Sequence, residues 1–364
     1  MLDKLLNPDF SLQKVYTPTF FDLKDQADSE QLAQLLKSDP KIVVSNTILS
    51  QIAELIKNRH PQEKFSEERL QALALEELGN QQQTYGLWVY YPWLRKLIHI
   101  LRKDDFISLR TSRNRFKITP EEQALLAQKK IALIGLSVGQ SVAMSLTMER
   151  GYGELVIADF DILELTNINR IRSGVHNIGL QKTVAVAREI AEIDPYLKVT
   201  CFHEGVTAAN LDEFLTANGR VDLLIDECDS LEVKIMARQR ARQLQIPVLM
   251  DTSDRGMLDI ERFDLEPQRP LFHGMLKPIF GDGSEEITPE NRTQVLMTII
   301  DFDKLSNEAK YSLGQIGKTI STWPQLGASV TYGGGITAEM SRKVLLGKTL
   351  VSGRYYVDLD QIIQ

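Results

Sequence analysis

The chain has 364 residues, 43% hydrophobic and 25% charged, enough for one large core or for a main domain with a smaller companion. Its formal charge of −7 supplies no basic stripe, so nucleic acid is not the expected partner, and no apolar run nears the roughly 18 to 20 residues that cross a bilayer. The opening "MLDKLLNPDF" lacks a basic segment followed by an apolar one, and the expected location is the cytoplasm.

The first hundred or so residues read as a small, mainly helical α/β domain. "DSEQLAQLLKSD" and "NTILSQIAELIKNRH" repeat apolar residues at three- and four-residue spacing, the mark of amphipathic helices, and "KIVVSN" is a short strand between them. "FSEERLQALALEELGN" predicts a third helix, with Ser66 as its N-cap and Gly79 at its end. "YGLWVYYPWL" is strand-like up to Pro92, and its Trp88, Tyr90 and Trp93 are expected in a core or domain interface.

From Lys129 the rhythm becomes strand, helix, strand: "KIALIGL", "GQSVAMSLTMERG", "GELVIADFD", "LQKTVAVAREIAEID", "KVTCFHE", then "TAANLDEFLTANG", "VDLLIDECD", "LEVKIMARQRARQLQ" and "IPVLMDTSD". Continuous Val/Ile/Leu strands alternating with amphipathic helices imply a Rossmann-like, doubly wound and mostly parallel sheet covered on both faces, with ligands at the carboxyl ends of its strands. The longest later stretch without sheet rhythm, about Arg255 to Thr322, is the expected substrate groove. Cys201 and Cys228 are too few for a disulfide framework, and their apolar neighbours suggest buried thiols. His60, His99, His176, His203 and His273 show no metal-ligand spacing.

Two chemistries compete for the turn after the first of these strands. Gly135-Leu136-Ser137-Val138-Gly139 fits a hydrolase nucleophile elbow, for which His273 would have to serve as the base, but no Gly-rich oxyanion segment precedes it. As a glycine-rich phosphate loop the same residues gain a second element, because Asp159 ends the next strand about 20 residues later, where a carboxylate meets a ribose. An NAD-dependent oxidoreductase would use both. It would leave Arg170 and Lys182 without a shared purpose, whereas a triphosphate attacked at its α-phosphorus needs cations on the outer phosphates. Asp229, read as ending the strand "LLIDECD", offers a carboxylate for magnesium.

In "VIADFDILELTNINR", "GLQK" and "DECDS" the chain resembles the ubiquitin-activating-enzyme-like adenylating superfamily, the ThiF/MoeB/HesA fold. That resemblance implies ATP-dependent adenylation of the terminal carboxylate of a small ubiquitin-like carrier or a peptide, with release of pyrophosphate. It implies these roles: Asp159, Asp161 and Asn167 with Gly135, Ser137 and Gly139 at the nucleotide; Arg170 and Lys182 on the phosphates; Asp229 on Mg2+. It also implies a homodimer in which Arg113 of "LRTSRNRFKIT", with Arg110 and Arg115 as alternatives, reaches the partner's site. The loop departs from the usual glycine pattern at Ser137, Val138 and Gln140. No cysteine occurs from Leu249 to Gln364, so neither zinc nor a thioester step on this chain is expected. The expected domains are an accessory one over 1–105 and an adenylation domain over 106–364. A tRNA-modifying relative and a non-catalytic binding module are the remaining alternatives. Gly333 to Gly335 are expected to serve close packing.

Overall fold

Local signals set the first elements. In the computed structural model, which describes residues 11–281 and 286–363, Ser66 Oγ accepts the Arg69 N–H at 3.2 Å and Gly79 closes the helix at φ +52°, as the sequence predicts. The opening ten residues, and residues 282–285 of the expected groove, lie outside the described residues.

The chain divides into two compact units, Met1–Pro120 with Ala191–Tyr196, and Glu121–Ile190 with Leu197–Gln364. The first contains β1 (Thr19–Phe21), β2 (Val43–Asn46), β3 (Leu87–Tyr91) and β4 (Lys96–Ile100), in the order β1-β3-β4-β2. Its helices are α1 (Gln26–Ser38), α2 (Ile48–Arg59), α3 (Glu67–Leu78) and α4 (Lys103–Arg110). β1 and β4 have no counterpart in the sequence reading. Pro92 signals a stop, yet the chain turns back through Arg95 in the left-handed region (φ +48°) and pairs antiparallel with β3. Trp88 is buried and stacks on the fully buried His99 with ring centroids 4.2 Å apart, so it is a core residue.

The second unit begins near α5 (Pro120–Leu126) and holds β5 (Lys130–Ile134), α6 (Gly139–Glu149), β6 (Glu154–Ala158), all but the last turn of α7 (Lys182–Ile193), β7 (Lys198–Phe202), α8 (Leu211–Thr216), β8 (Leu223–Asp226), α9 (Leu231–Gln243) and β9 (Val248–Asp251). β10 (Met257–Glu261), α10 (Arg292–Ile299), α11 (Asn307–Leu313), α12 (Gly327–Leu345) and β11 (Gly353–Tyr356) follow. The sheet order is β11-β10-β9-β8-β5-β6-β7, parallel from β9 to β7, with β10 and β11 added antiparallel. The fold is therefore mixed α/β with a mostly parallel, Rossmann-like sheet. β10 corrects one expectation, because the stretch from Arg255 opens with a fully buried strand paired to β9.

The chain runs β5-β6-β7 in one direction and returns to place β8 on the other side of β5. The strand ends of β5 and β8 thus form a topological switch point, where an open α/β sheet leaves a crevice. Behind it, α12 packs against α6 and β9. A Cβ on Gly333 would strike the Asp251 carboxylate and one on Gly334 would strike Ser141, whereas Gly335 faces open space. The expected packing role therefore holds for two of the three glycines.

A buried ionic chain ties β8 to the residues after β10. Asp226 pairs with Arg238 and, at 3.2 Å, with Lys234. Arg238 Nε donates to Glu261 Oε2 at 2.6 Å, and Glu261 Oε1 accepts the Phe272 N–H at 2.7 Å. Asp226 is held low, to about 2, because these two cations outweigh the cost of its burial.

Candidate active site

A cavity of about 470 Å³ lies over the ends of β5, β6 and β8. Gly135, Ser137, Asp159, Asp161, Asn167, Arg170, Lys182 and Asp229 all line it, so residues spread over almost a hundred positions of sequence meet in one place. Two expected members stand elsewhere. Gly139 starts α6 beneath the cavity, where a Cβ would sit 2.6 Å from Leu133 Cδ2. Arg113 belongs to the first unit, in the one-turn segment Ser112–Asn114, and lines a separate cavity of about 1060 Å³ there with Arg110.

The turn after β5 brings backbone to the cavity. Gly135 has φ +86°, and a Cβ there would lie 2.5 Å from the Glu227 carbonyl oxygen, so glycine is needed for both conformation and space. Asp159, buried at the end of β6, accepts the Leu136 N–H at 2.7 Å and the Asp161 N–H at 2.8 Å. Burial raises its pKa, with the Lys182 charge and the two N–H donors opposing.

The cations come from the loop after β6 and the start of α7. Lys182, 5% exposed, holds Asp161 at 2.7 Å while its own N–H bonds the Asp161 carbonyl. Arg170 is half-buried, and its Nε donates to Ser137 Oγ at 3.0 Å. Burial lowers the Arg170 pKa, and the charge of Asp229 opposes that shift. Asn167 accepts the Glu164 N–H at 3.1 Å in a reciprocal cap, so its amide fixes the turn that carries Arg170.

The acid that ends β8 is Asp226, not Asp229. Asp226 is committed to the buried ionic chain, and Asp229 stands three residues further on as an exposed carboxylate. Cys228 packs partly buried against the core, and burial pushes its pKa well up, but its surroundings are not only apolar as expected: its thiol donates to Asp226 Oδ1 at 3.0 Å in the cavity wall. The hydrolase alternative lacks its base among the described residues, since no histidine, His273 included, lines the cavity that holds Ser137, and Ser137 Oγ accepts from Arg170 Nε.

Two carboxyl groups at this end of the sheet escaped the sequence reading. Glu227 lines the cavity, its Oε1 accepts the Asp251 N–H at 3.1 Å, and its buried Oε2 has no hydrogen-bond partner among the described residues. Burial raises the pKa of both, that of Asp251 to about 6, and the proximity of Asp251 adds to the shift in Glu227. Acidic residues after β8 and β9 were their sequence signal, but nothing in the spacing marks which acid turns inward.

The ThiF family matches residues 111–361. Uncharacterized protein MT1398 of Mycobacterium tuberculosis (strain CDC 1551 / Oshkosh) is 42% identical over 273 residues, covering 75% of this chain and 38% of that protein. Ubiquitin-like modifier-activating enzyme 5 of Drosophila willistoni is 29% identical over 119 residues, 30% of this chain and 29% of the enzyme. The chain thus spans well under half the length of these relatives. The crystal structure of E. coli tRNA N6-threonylcarbamoyladenosine dehydratase, TcdA, in complex with AMP aligns with a TM-score of 0.49 at 20% identity, over 68% of this chain and 98% of that one. With the family matched over most of its length, the chain belongs to the ThiF family of the ubiquitin-activating-enzyme-like adenylating superfamily.

Proposed function

We propose that the chain adenylates a substrate carboxylate with ATP, the nucleotide lying in the cavity over β5, β6 and β8. One observation carries this reading: a switch-point cavity where Lys182 and Arg170 flank a glycine turn anchored by Asp159. A dinucleotide needs little more than the turn, whereas two cations suit an outer pyrophosphate that gains charge as it leaves.

In the proposed step a carboxylate oxygen attacks the α-phosphorus. The new O–P bond forms as the bond to the bridging oxygen breaks, and pyrophosphate leaves with that electron pair. No proton transfer is required, so placement and charge supply the acceleration. Asp159 keeps a lone pair on each oxygen beyond its two backbone bonds, enough to accept from a ribose hydroxyl. Gly135 admits the nucleotide close to the backbone, and Ser137 orients Arg170.

Magnesium fits the donor set. No group of three or more ligand-type side chains gathers among the described residues, and the exposed Asp229 carboxylate at the rim suits an ion that takes its other ligands from phosphate and water. When bound there, it offsets negative charge on the phosphates. The match to a ubiquitin-like modifier-activating enzyme supports a small ubiquitin-like carrier as the acyl substrate, with a peptide as the alternative. In the homodimer we propose, Arg113 of one copy completes the other's site. Among the described residues no helix is long and apolar enough to cross a membrane.

Pyrophosphate exchange into ATP, run with candidate carriers and peptides, tests the proposal. We expect substrate-dependent exchange that falls about a hundredfold in Arg170→Ala, the scale of losing one transition-state charge contact. Exchange undiminished in Arg170→Ala and Lys182→Ala would overturn the assignment, and exchange undiminished in Asp229→Ala would remove Asp229 from it.

A further inference from the structure

A second cavity, of about 510 Å³, opens one residue along the chain from the first: Thr322 lines the nucleotide cavity, and Trp323 to Leu326 line the second. Its volume lies in the range of sites that take a small molecule or a large side chain. The strap between the two is fixed to the nucleotide side, because Asn169 Nδ2 donates to the Gln325 carbonyl at 2.7 Å, beside Arg170. Gly327, which follows the strap, packs so closely on the Asn169 carbonyl that a Cβ would approach it to 2.8 Å.

The cavity's chemistry is one-sided. Its lining includes a single cation, Arg255, and that guanidinium is taken: Nε donates to Asp358 Oδ2 at 2.7 Å and a terminal nitrogen to the Lys304 carbonyl at 2.6 Å. Asp254 is also satisfied, by the Ser306 N–H and hydroxyl at 3.0 and 2.7 Å. Glu308 and Asp360 are different. Both are exposed, and neither has an ion-pair partner among the described residues. Trp323, Leu326 and Val357 supply apolar wall beside them. An apolar surface ending in unpaired carboxylates matches the two parts of a long cationic side chain, the alkyl stem and the charged head.

We infer that the second cavity receives a Lys or Arg side chain of the acyl substrate, upstream of the carboxylate that reacts across the strap. This rests on the adenylation reading for the direction of the substrate, while occupancy of the cavity is measurable without any chemistry. The class of substrate is thereby narrowed to a protein or peptide tail with a basic residue before its carboxyl end.

The test uses a library of amino-terminally acetylated hexapeptides with free carboxyl ends, randomised upstream, and affinity selection on the intact protein. Peptides retained by the wild type should be enriched in Lys and Arg by about fivefold over the input, the worth of an exposed ion pair at the upper end of its range. The doubly substituted E308Q/D360N protein should lose that enrichment, and Trp323→Ala should lower retention of the same peptides. Absence of any basic enrichment, or enrichment undiminished in E308Q/D360N, would overturn the inference. An ATP titration of the wild type is read alongside. Basic selection without ATP binding would retain the cavity assignment and discard adenylation, and ATP binding without basic selection would do the reverse.

Discussion

Arg170 Nε donates to Ser137 Oγ across 3.0 Å, which joins the turn after β5 to the loop after β6. Ser137 is an orienting acceptor in this arrangement, not a nucleophile. Ser137→Ala should weaken ATP binding about ten- to a hundredfold, the worth of one hydrogen bond to a charged group, and leave pyrophosphate exchange measurable. Loss of all activity, or acylation of Ser137 detected by mass spectrometry, would contradict this role.

Lys182 and Asp161 give a prediction that separates function from stability. Asp161 is half exposed, so removal of Lys182 leaves a carboxylate that water can solvate. Lys182→Ala should therefore cost under about 1 kcal/mol in denaturant unfolding while exchange falls about a hundredfold. A large stability loss with proportionate loss of activity would assign Lys182 to structure.

Backbone strain predicts a contrast between two glycines of similar φ. Gly135 (φ +86°) would bring a Cβ against the Glu227 carbonyl, whereas Gly179 (φ +89°) has nothing within 4 Å. Gly179→Ala should cost about 1–2 kcal/mol for the left-handed conformation alone. Gly135→Ala should cost more, by about 1–3 kcal/mol of overpacking, and should also displace the Glu227 backbone and weaken ATP binding. Equal costs in chemical denaturation would show that the turn can move aside.

Asp251 makes stability depend on pH. Its folded pKa of about 6 lies above its ordinary value of 3.8, because burial outweighs its bonds to Ser253. Between those values the folded protein keeps a proton that the unfolded chain has released, so this group's contribution is full below pH 4 and declines as pH rises to about 6. The total is on the order of 3 kcal/mol. Asp251→Asn, which has no charge to bury, should unfold at a higher temperature than the wild type above pH 6 and lose that advantage near pH 4. A difference in melting temperature that does not vary with pH would contradict the assignment.

Much of the second unit was legible because parallel strands buried on both faces must be continuous apolar runs, and "KIALI", "ELVIA" and "LLID" are such runs. Six of the eight expected site residues that line the cavity were legible for a related reason, lying just beyond such a strand or at the start of the next helix, whereas Asn167 and Arg170 sit in the long loop after β6 and were marked by residue type and spacing instead. The first unit was less readable. Three-residue β1 is too short to show alternation, and the β3–β4 turn uses Arg95 where a glycine would have advertised it. Asp226 and Asp229 could not be told apart because strand ends are indistinct by pattern, and only the positions of Lys234 and Arg238 one and two turns along α9 decide which acid is buried. Glu227 and Asp251 were missed for the opposite reason: among the described residues Glu227 Oε2 has no partner and Asp251 is held by the Ser253 N–H and hydroxyl, whereas buried acids are expected to be paired with cations.

Proposed adenylation requires a nucleoside triphosphate in the cavity over β5, β6 and β8. Calorimetric titration of the intact protein with α,β-methylene-ATP, which cannot transfer its nucleotidyl group, tests it most directly. We expect saturable binding of one nucleotide per chain in the presence of magnesium, weakened at least about tenfold by Arg170→Ala. No binding at millimolar nucleotide, or binding indifferent to Arg170→Ala and Lys182→Ala, would contradict it.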